Sequence, residues 1–178
     1  SVTLDAATGD DVIDGAVVNN GTLALDANEV TGIITGTGVI TMADDYTVAA
    51  NITTATLTFA DGKTLLVGGN TITGDITNNG TVTLATGGDI TGTTTMALST
   101  DVLNLHDTAI GIVAGSGTIN SAQDLTTGAT ITGTNLNVTD NILTLGANVT
   151  ATTTTITAGA TLDAATGDDV IDGAVVNN

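Results

Sequence analysis

The chain has no cysteine, no proline and no tryptophan, a single basic residue, Lys63, and two aromatic side chains, Tyr46 and Phe59. Without cysteine there are neither disulfides nor thiolate metal ligands, which leaves the redox compartment open. With one cation in 178 residues, phosphate backbones and anionic lipid surfaces have nothing to bind, so nucleic acid is excluded as a natural partner. No apolar run approaches the ~20 residues of a membrane span. A signal peptide is also missing at Ser1, so any targeting signal is expected to lie outside this segment or to have been removed.

What is present is aliphatic, hydroxylated and acidic. The hydrophobic content of 41% suffices for a core, built from Val, Ile, Leu, Ala and Met. Threonine is abundant and glycine numbers 23. Thr, Val and Ile lose rotamer freedom in a helix and suit a pleated, half-buried surface, so the composition indicates β structure. Nineteen acids oppose one base, a formal net charge of −18. A field of that sign recruits cations, above all divalent ones.

The eighteen letters TLDAATGDDVIDGAVVNN at Thr3–Asn20 return unchanged at Thr161–Asn178, a spacing of 161 − 3 = 158 residues. Such a match indicates duplication. Within that interval short segments alternate small or polar with apolar residues: TLAL at Thr22, VITM at Val39, TLTF at Thr56, TVTL at Thr81, TMAL at Thr95. Period-two alternation buries one face of a strand. The steps from Thr3 to Thr22, to Val39 and to Thr56 are nearly equal, and their length of about 17 to 19 residues is a solenoid spacing. The step from Thr56 to Thr81 is markedly longer, which suggests an extra arm over TLLVGGNTITGDITNNG.

These patterns predict an all-β fold, a parallel β-solenoid (right-handed β-helix) of about nine to ten coils, each of roughly 17–18 residues. Stacked coils ~4.8 Å apart align like residues in ladders, which Thr, Asn and Val tolerate, whereas antiparallel sandwiches usually carry the proline and aromatic anchors missing here. The expected inward residues are Leu23, Leu25, Ile40, Met42, Leu57, Phe59, Val82, Leu84, Met96, Leu98, Leu136, Val138 and Ile156.

The segments NNGTLAL (Asn19–Leu25), NNGTVTL (Asn78–Leu84) and GSGTIN (Gly115–Asn120) resemble coils of bacterial filamentous-haemagglutinin-type and autotransporter adhesins. The resemblance is one of style and covers most of the chain. It implies a right-handed parallel β-helix, secretion, and a structural or adhesive role at a cell surface.

ATGDDVIDGA (Ala7–Ala16, repeated at Ala165–Ala174) resembles the calcium-binding nonapeptide of RTX proteins, G-G-x-G-x-D-x-U-x. Gly9, Asp11 and Ile13 fall on that pattern and Gly15 opens a next unit, while Ala6 and Ala7 replace the leading glycines and no second nonapeptide follows. The resemblance implies calcium at Asp10, Asp11 and Asp14 and, in the second copy, at Asp168, Asp169 and Asp172. The alternative is a polar corner in which the glycines supply turns and the acids are solvated. Even then, nine coils span about 43 Å, and most of the acids distributed along that length have a neighbouring acid well inside a Debye length of ~8 Å.

The β-helix also hosts polysaccharide lyases and hydrolases. Lys63, beside a turn in ADGK, is an isolated base, and the pairs Asp10/Asp11 and Asp44/Asp45 are sequence neighbours that point to opposite sides of a strand. The expectation is no enzyme. His106 is the lone histidine, without a metal-binding spacing, and Asn20, Asn51, Asn79, Asn137 and Asn148 begin N-x-T triplets that a Thr-rich chain contains by chance. T-x-T pairs such as Thr56/Thr58, Thr71/Thr73 and Thr81/Thr83 resemble those of β-helical ice-binding proteins.

The expected organisation is one solenoid segment over 1–178, with 3–160 one long period and 161–178 the start of the next. The leading expectation is a non-catalytic module of a giant tandem-repeat extracellular fibre, stalk or surface layer, partnered end to end by further copies. The rival is an adhesin or ice-binding β-helix with a Thr-rich face and a cell-surface or matrix partner. The rod is expected to continue beyond Asn178 with something close to GTLALDANEV, and coil 161–178 to superpose on coil 3–20 by translation alone.

Overall fold

The computed structural model describes residues 3–5, 13–26, 30–106, 111–164 and 169–178. Among the described residues there is no helix, and the strand pairings are parallel. The chain is a β-solenoid. One backbone ladder runs Leu4, Leu23, Ile40, Leu57, Ile76, Thr94, Val113, Ile131, Val149. Those eight steps are eight turns, and a last coil closes on Ile171. The mean turn from Leu4 to Val149 takes about 18 residues, near the coil length expected. The count of about eight turns is slightly below the nine to ten of the sequence reading.

Three ladders define three faces. The first is the one just traced. The second runs Tyr46, Leu65, Val82, Leu103, Ile119, Leu136, Thr154, Val175. The third runs Val17, Ile34, Ile52, Ile72, Ile90, and Leu125, Leu143 and Leu162 occupy the same place in later circuits. Most inward positions on every face are filled by aliphatic side chains, with buried polar exceptions such as Thr94, Ser121, Thr127 and Thr154, and the aliphatics stack into one continuous core that holds Phe59 and Tyr46 as its large rings. The alternation is direct: strand Ile52–Phe59 reads buried, exposed, buried along ITTA and continues round a corner into LTF. Outward threonines present their methyl and hydroxyl groups to solvent, while the branched inward residues meet like residues one coil away.

The faces explain the irregular spacing in the sequence. Thr56 lies on the first face and pairs with Asp75 one turn later, whereas Thr81 lies on the second face and pairs with Thr64. The long step from Thr56 to Thr81 is therefore one turn plus one face, and TLLVGGNTITGDITNNG forms ordinary strands Thr64–Val67 and Thr71–Asn78 instead of an arm. A second correction concerns Leu98, expected inside but 43% exposed. The chain turns after Met96, and Leu98 sits in a corner loop closed by the bond from Asp101 N–H to the Leu98 carbonyl. Ile156 is half-buried because only the last coil lies beyond it. The other expected core residues are buried.

Corners are built by Asn and Gly. In each NNG motif the first Asn turns inward: Asn78 accepts from Gly80 N–H (2.9 Å) and donates to the Val102 carbonyl (3.0 Å), while Asn19 accepts from Gly21 N–H (3.1 Å) and donates to the Val39 carbonyl (3.0 Å). Each side chain thus closes its own turn and ties it to the following coil. Gly74, Gly92 and Gly111 stack at one corner so closely that a Cβ on Gly92 would overlap the Gly74 carbonyl.

The two copies of the eighteen-residue sequence occupy different faces. In the first, Leu4 pairs with Leu23 on the first face, Ile13 with Val30 on the second, and Val17 with Ile34 on the third. In the second, Leu162 pairs with Leu143 on the third face, Ile171 with Val149 on the first, and Val175 with Thr154 on the second. Translation alone does not superpose them. From Leu4 to Leu162 the chain makes eight turns and two further faces, so the copies are related by a rise plus two thirds of a turn. NNG does the same, since Asn19–Gly21 lies between the third and first faces and Asn78–Gly80 between the first and second. The three faces are interchangeable to the sequence because each asks for the same inward-outward alternation.

Candidate functional site

Of the proposed calcium ligands, Asp10, Asp11 and Asp168 lie outside the described residues. Asp14 is exposed at a corner and accepts from the Thr31 hydroxyl of the next coil (3.1 Å). Asp172 is exposed and pairs through its backbone with Thr150. Asp169 is half-buried, with Oδ2 unpartnered among the described residues. The sets around Asp14 and Asp172 are more than eight coils apart, about 40 Å at the ladder repeat, so they would form two separate sites. Among the described residues no three His, Cys, Asp or Glu side chains gather.

The lone cation is in use between coils. Lys63 Nζ lies 2.6 Å from Asp44 Oδ1, both half-exposed. The hydrogen bond from Lys63, joined by the Asp45 N–H and by the charge of Lys63, holds the Asp44 carboxyl below its ordinary range, and the same bond raises Lys63. Asp45 accepts from Thr64 N–H (2.7 Å). Asp44 and Asp45 thus both fasten one coil to the next. A surface groove of about 310 Å³ beside them is lined by Asp45, Tyr46, Thr47, Thr64 and Leu66. It brings the Asp45 carboxylate beside the hydroxyl-bearing Tyr46, Thr47 and Thr64 and the apolar Leu66. His106 is half-buried just after strand Val102–Leu105.

The most extended ordered array is a polar ladder on the outer side of the second face. Asn104 donates to Thr83 Oγ1 (3.0 Å), Asn120 to Asn104 Oδ1 (2.9 Å), and Asn137 to Asn120 Oδ1 (2.9 Å). A parallel column in register carries Thr81, Val102, Thr118, Asn135 and Thr153, where Asn135 donates to Thr118 Oγ1 (3.3 Å). The amides point one way along the axis, so each strengthens the next. On the first face Thr41, Thr58, Thr77 and Thr95 are in register on successive coils, but the companion column reads Val39, Thr56, Asp75, which interrupts any T-x-T lattice. Chemically these surfaces offer amide and hydroxyl hydrogen-bonding groups, with Asp75 as a carboxylate in the companion column.

Sequence reading missed these arrays because Asn104, Asn120 and Asn137 are 16 and 17 residues apart, below the mean coil length. The signal was the repeated N between inward residues, in LNL, INS and LNV. It also missed Asp101, which is 1% exposed and whose Oδ2 accepts from Leu98 N–H (2.6 Å).

No protein-family model, curated protein or solved structure matches the chain. Among the described residues no helix is long and apolar enough to cross a membrane.

Proposed function

We propose that this chain is a non-catalytic structural module, one period of a tandemly repeated extracellular fibre, stalk or surface layer whose units stack end to end. The observation that carries this reading is the recurrence of one coil after 161 − 3 = 158 residues, with both copies wound into the same solenoid. A unit whose last coil repeats its first can be extended without a new kind of interface. The composition supports an extracellular setting, since a surface of net charge −18 stays soluble and draws divalent cations. Calcium at the Asp-rich coils is part of the proposal, as counter-ion or as bound ligand. Immunogold electron microscopy of cells that make the protein tests the reading: label along extracellular fibres or a surface layer is expected. Label confined to the cell interior, or lyase or hydrolase activity towards acidic polysaccharides, would overturn it.

A second reading draws on the row Thr41, Thr58, Thr77, Thr95: an adhesin or ice-binding face. Freezing hysteresis abolished by Thr58→Tyr, at the centre of the row, would favour it.

A further inference from the structure

We propose that Asn20 is a self-modification site of this chain, converted through a cyclic imide to Asp or isoaspartate, and that the fold protects its sequence twin, Asn79, from the same reaction.

The sequence contains two Asn-Gly steps, Asn20-Gly21 and Asn79-Gly80, each inside the same letters N-N-G-T, at Asn19–Thr22 and Asn78–Thr81. Glycine favours the reaction because it has no Cβ to hinder its own backbone nitrogen. That nitrogen loses its proton and attacks Cγ of the preceding Asn, so that an N–Cγ bond forms. The Cγ–Nδ2 bond breaks, and the side-chain nitrogen leaves as ammonia with the proton that glycine gave up. Water then opens the imide at one carbonyl or the other, giving Asp or isoaspartate. Nothing is oxidised or reduced. The step needs a glycine N–H that can be released and an Asn side chain that can swing over it.

At both corners the first Asn of the motif holds the attacking nitrogen, through Gly80 N–H to Asn78 Oδ1 (2.9 Å) and Gly21 N–H to Asn19 Oδ1 (3.1 Å). The corner at Asn79 is fastened on every other side as well. Asn79 Nδ2 donates to the Phe59 carbonyl (2.9 Å), the Asn79 carbonyl accepts from Gly62 N–H (2.9 Å), and Gly80 is buried. Attack there requires the Asn79 amide to leave Phe59 and the Gly80 nitrogen to leave Asn78 together. The corner has little room for this, since a Cβ on Gly80 would already overlap the Lys63 carbonyl. Asn20, by contrast, is exposed and Gly21 half-buried, and Asn20 Oδ1 accepts a long bond from Thr37 N–H (3.3 Å). Oδ1 is the atom that takes negative charge when Cγ is attacked, so this bond favours the step, whereas the bond from Asn79 Nδ2 opposes it. Conversion of Asn20 to Asp adds a negative charge and keeps an acceptor for Thr37 N–H. Isoaspartate instead adds a methylene to the main chain where Gly36 and Gly38 pack closely on the Asn19 and Gly21 carbonyls, so Asp is the product the corner accommodates.

Peptide mass spectrometry during incubation at mildly alkaline pH follows both sites, with fragmentation that separates Asn19 from Asn20 and Asn78 from Asn79. In the urea-unfolded chain the twins are expected to convert at similar rates, because their local sequence is the same. In the folded protein Asn20 is expected to convert at least about tenfold faster than Asn79, the factor that one net hydrogen bond adds to the cost of local opening. Asn78→Leu, which removes the acceptor for Gly80 N–H, is expected to speed Asn79 about tenfold, while Asn78→Asp, which keeps that acceptor, leaves it slow. Gly92→Ala is the control for general loss of stability and is expected to leave Asn79 slow as well. A ratio of the two rates in the folded protein no larger than in the unfolded chain would overturn the proposal. So would an unchanged Asn79 rate in Asn78→Leu, or an equal acceleration in Gly92→Ala, which would assign the protection to overall stability alone. If circular dichroism shows that Asn78→Leu has lost its β structure, the comparison of folded and unfolded wild type decides.

Discussion

Asn78 offers the sharpest test of how the corners hold. Its side chain is fully buried, accepts from Gly80 N–H and donates to the Val102 carbonyl and to Met96 Sδ (3.2 Å). Two of those are full hydrogen bonds, each worth about 0.5–1.5 kcal/mol net, and removing the side chain strands the buried Gly80 N–H at about 1–3 kcal/mol. These overlap, so Asn78→Ala is expected to cost about 3 kcal/mol. Asn78→Leu restores volume and apolar contact but leaves the same groups unpaired, and is expected to remain about 2 kcal/mol below wild type. Asn78→Asp keeps the bond from Gly80 and loses the donation to Val102, while burying a charge. Burial raises the folded-state pKa of that carboxyl above its unfolded value, so the penalty is present near neutral pH and is relieved as pH falls through the folded pKa. The assay is urea unfolding of the series at two pH values, comparing midpoints only where the slopes agree. Wild-type stability in Asn78→Leu would refute the capping account and make the position one of simple packing.

At the stacked glycine corner, Gly92→Ala meets the Gly74 carbonyl and is expected to lose about 1–3 kcal/mol in the same assay, whereas Gly128→Ala, with open space around it, is expected to be neutral or slightly stabilising. Calcium in excess, against chelator at matched ionic strength, is expected to raise the melting midpoint; an unchanged midpoint with no bound ion near Asp10, Asp11 or Asp14 removes calcium from the account. Sodium chloride alone is expected to raise it more gradually, because 19 acids repel with one base among them. Lys63→Met is expected to shift the midpoint only slightly, as the pair is half-exposed. With Asp44 depressed, its contribution is present above the unfolded carboxyl pKa and lost as pH falls through the lower folded value; with Lys63 raised, its share is lost as pH rises through the higher folded value. A thermal scan of wild type and variant from strongly acidic to strongly alkaline pH should show the two curves meeting at both extremes.

The class of fold and most of the core were readable because alternation of period two survives in TLAL, VITM and TLTF whatever surrounds it. Alternation says which residues point inward; it does not say on which face. That is why Thr56 and Thr81 looked like one ladder with an insertion, and why the duplicated coil looked like a pure translation. Face assignment depends on how many residues each corner consumes, which is set by groups such as Asn78, Asp101 and the Gly74–Gly92–Gly111 stack. Leu98 shows the same limit, since TMAL reads as a four-residue strand until the bond between Asp101 and Leu98 turns the chain out of the ladder. The acidic motif was conspicuous in sequence through its duplication.

On the proposed function, the interval between the two copies, 161 − 3 = 158 residues, is the unit of a continuous rod. Small-angle X-ray scattering from polypeptides with one, two and three periods measures this directly. The account predicts a constant cross-section and a maximum dimension that grows by about 42 Å per period, from eight and two-thirds coils at ~4.8 Å each. A cross-section that widens with each period, or the profile of separate bodies tumbling on a flexible link, would contradict it.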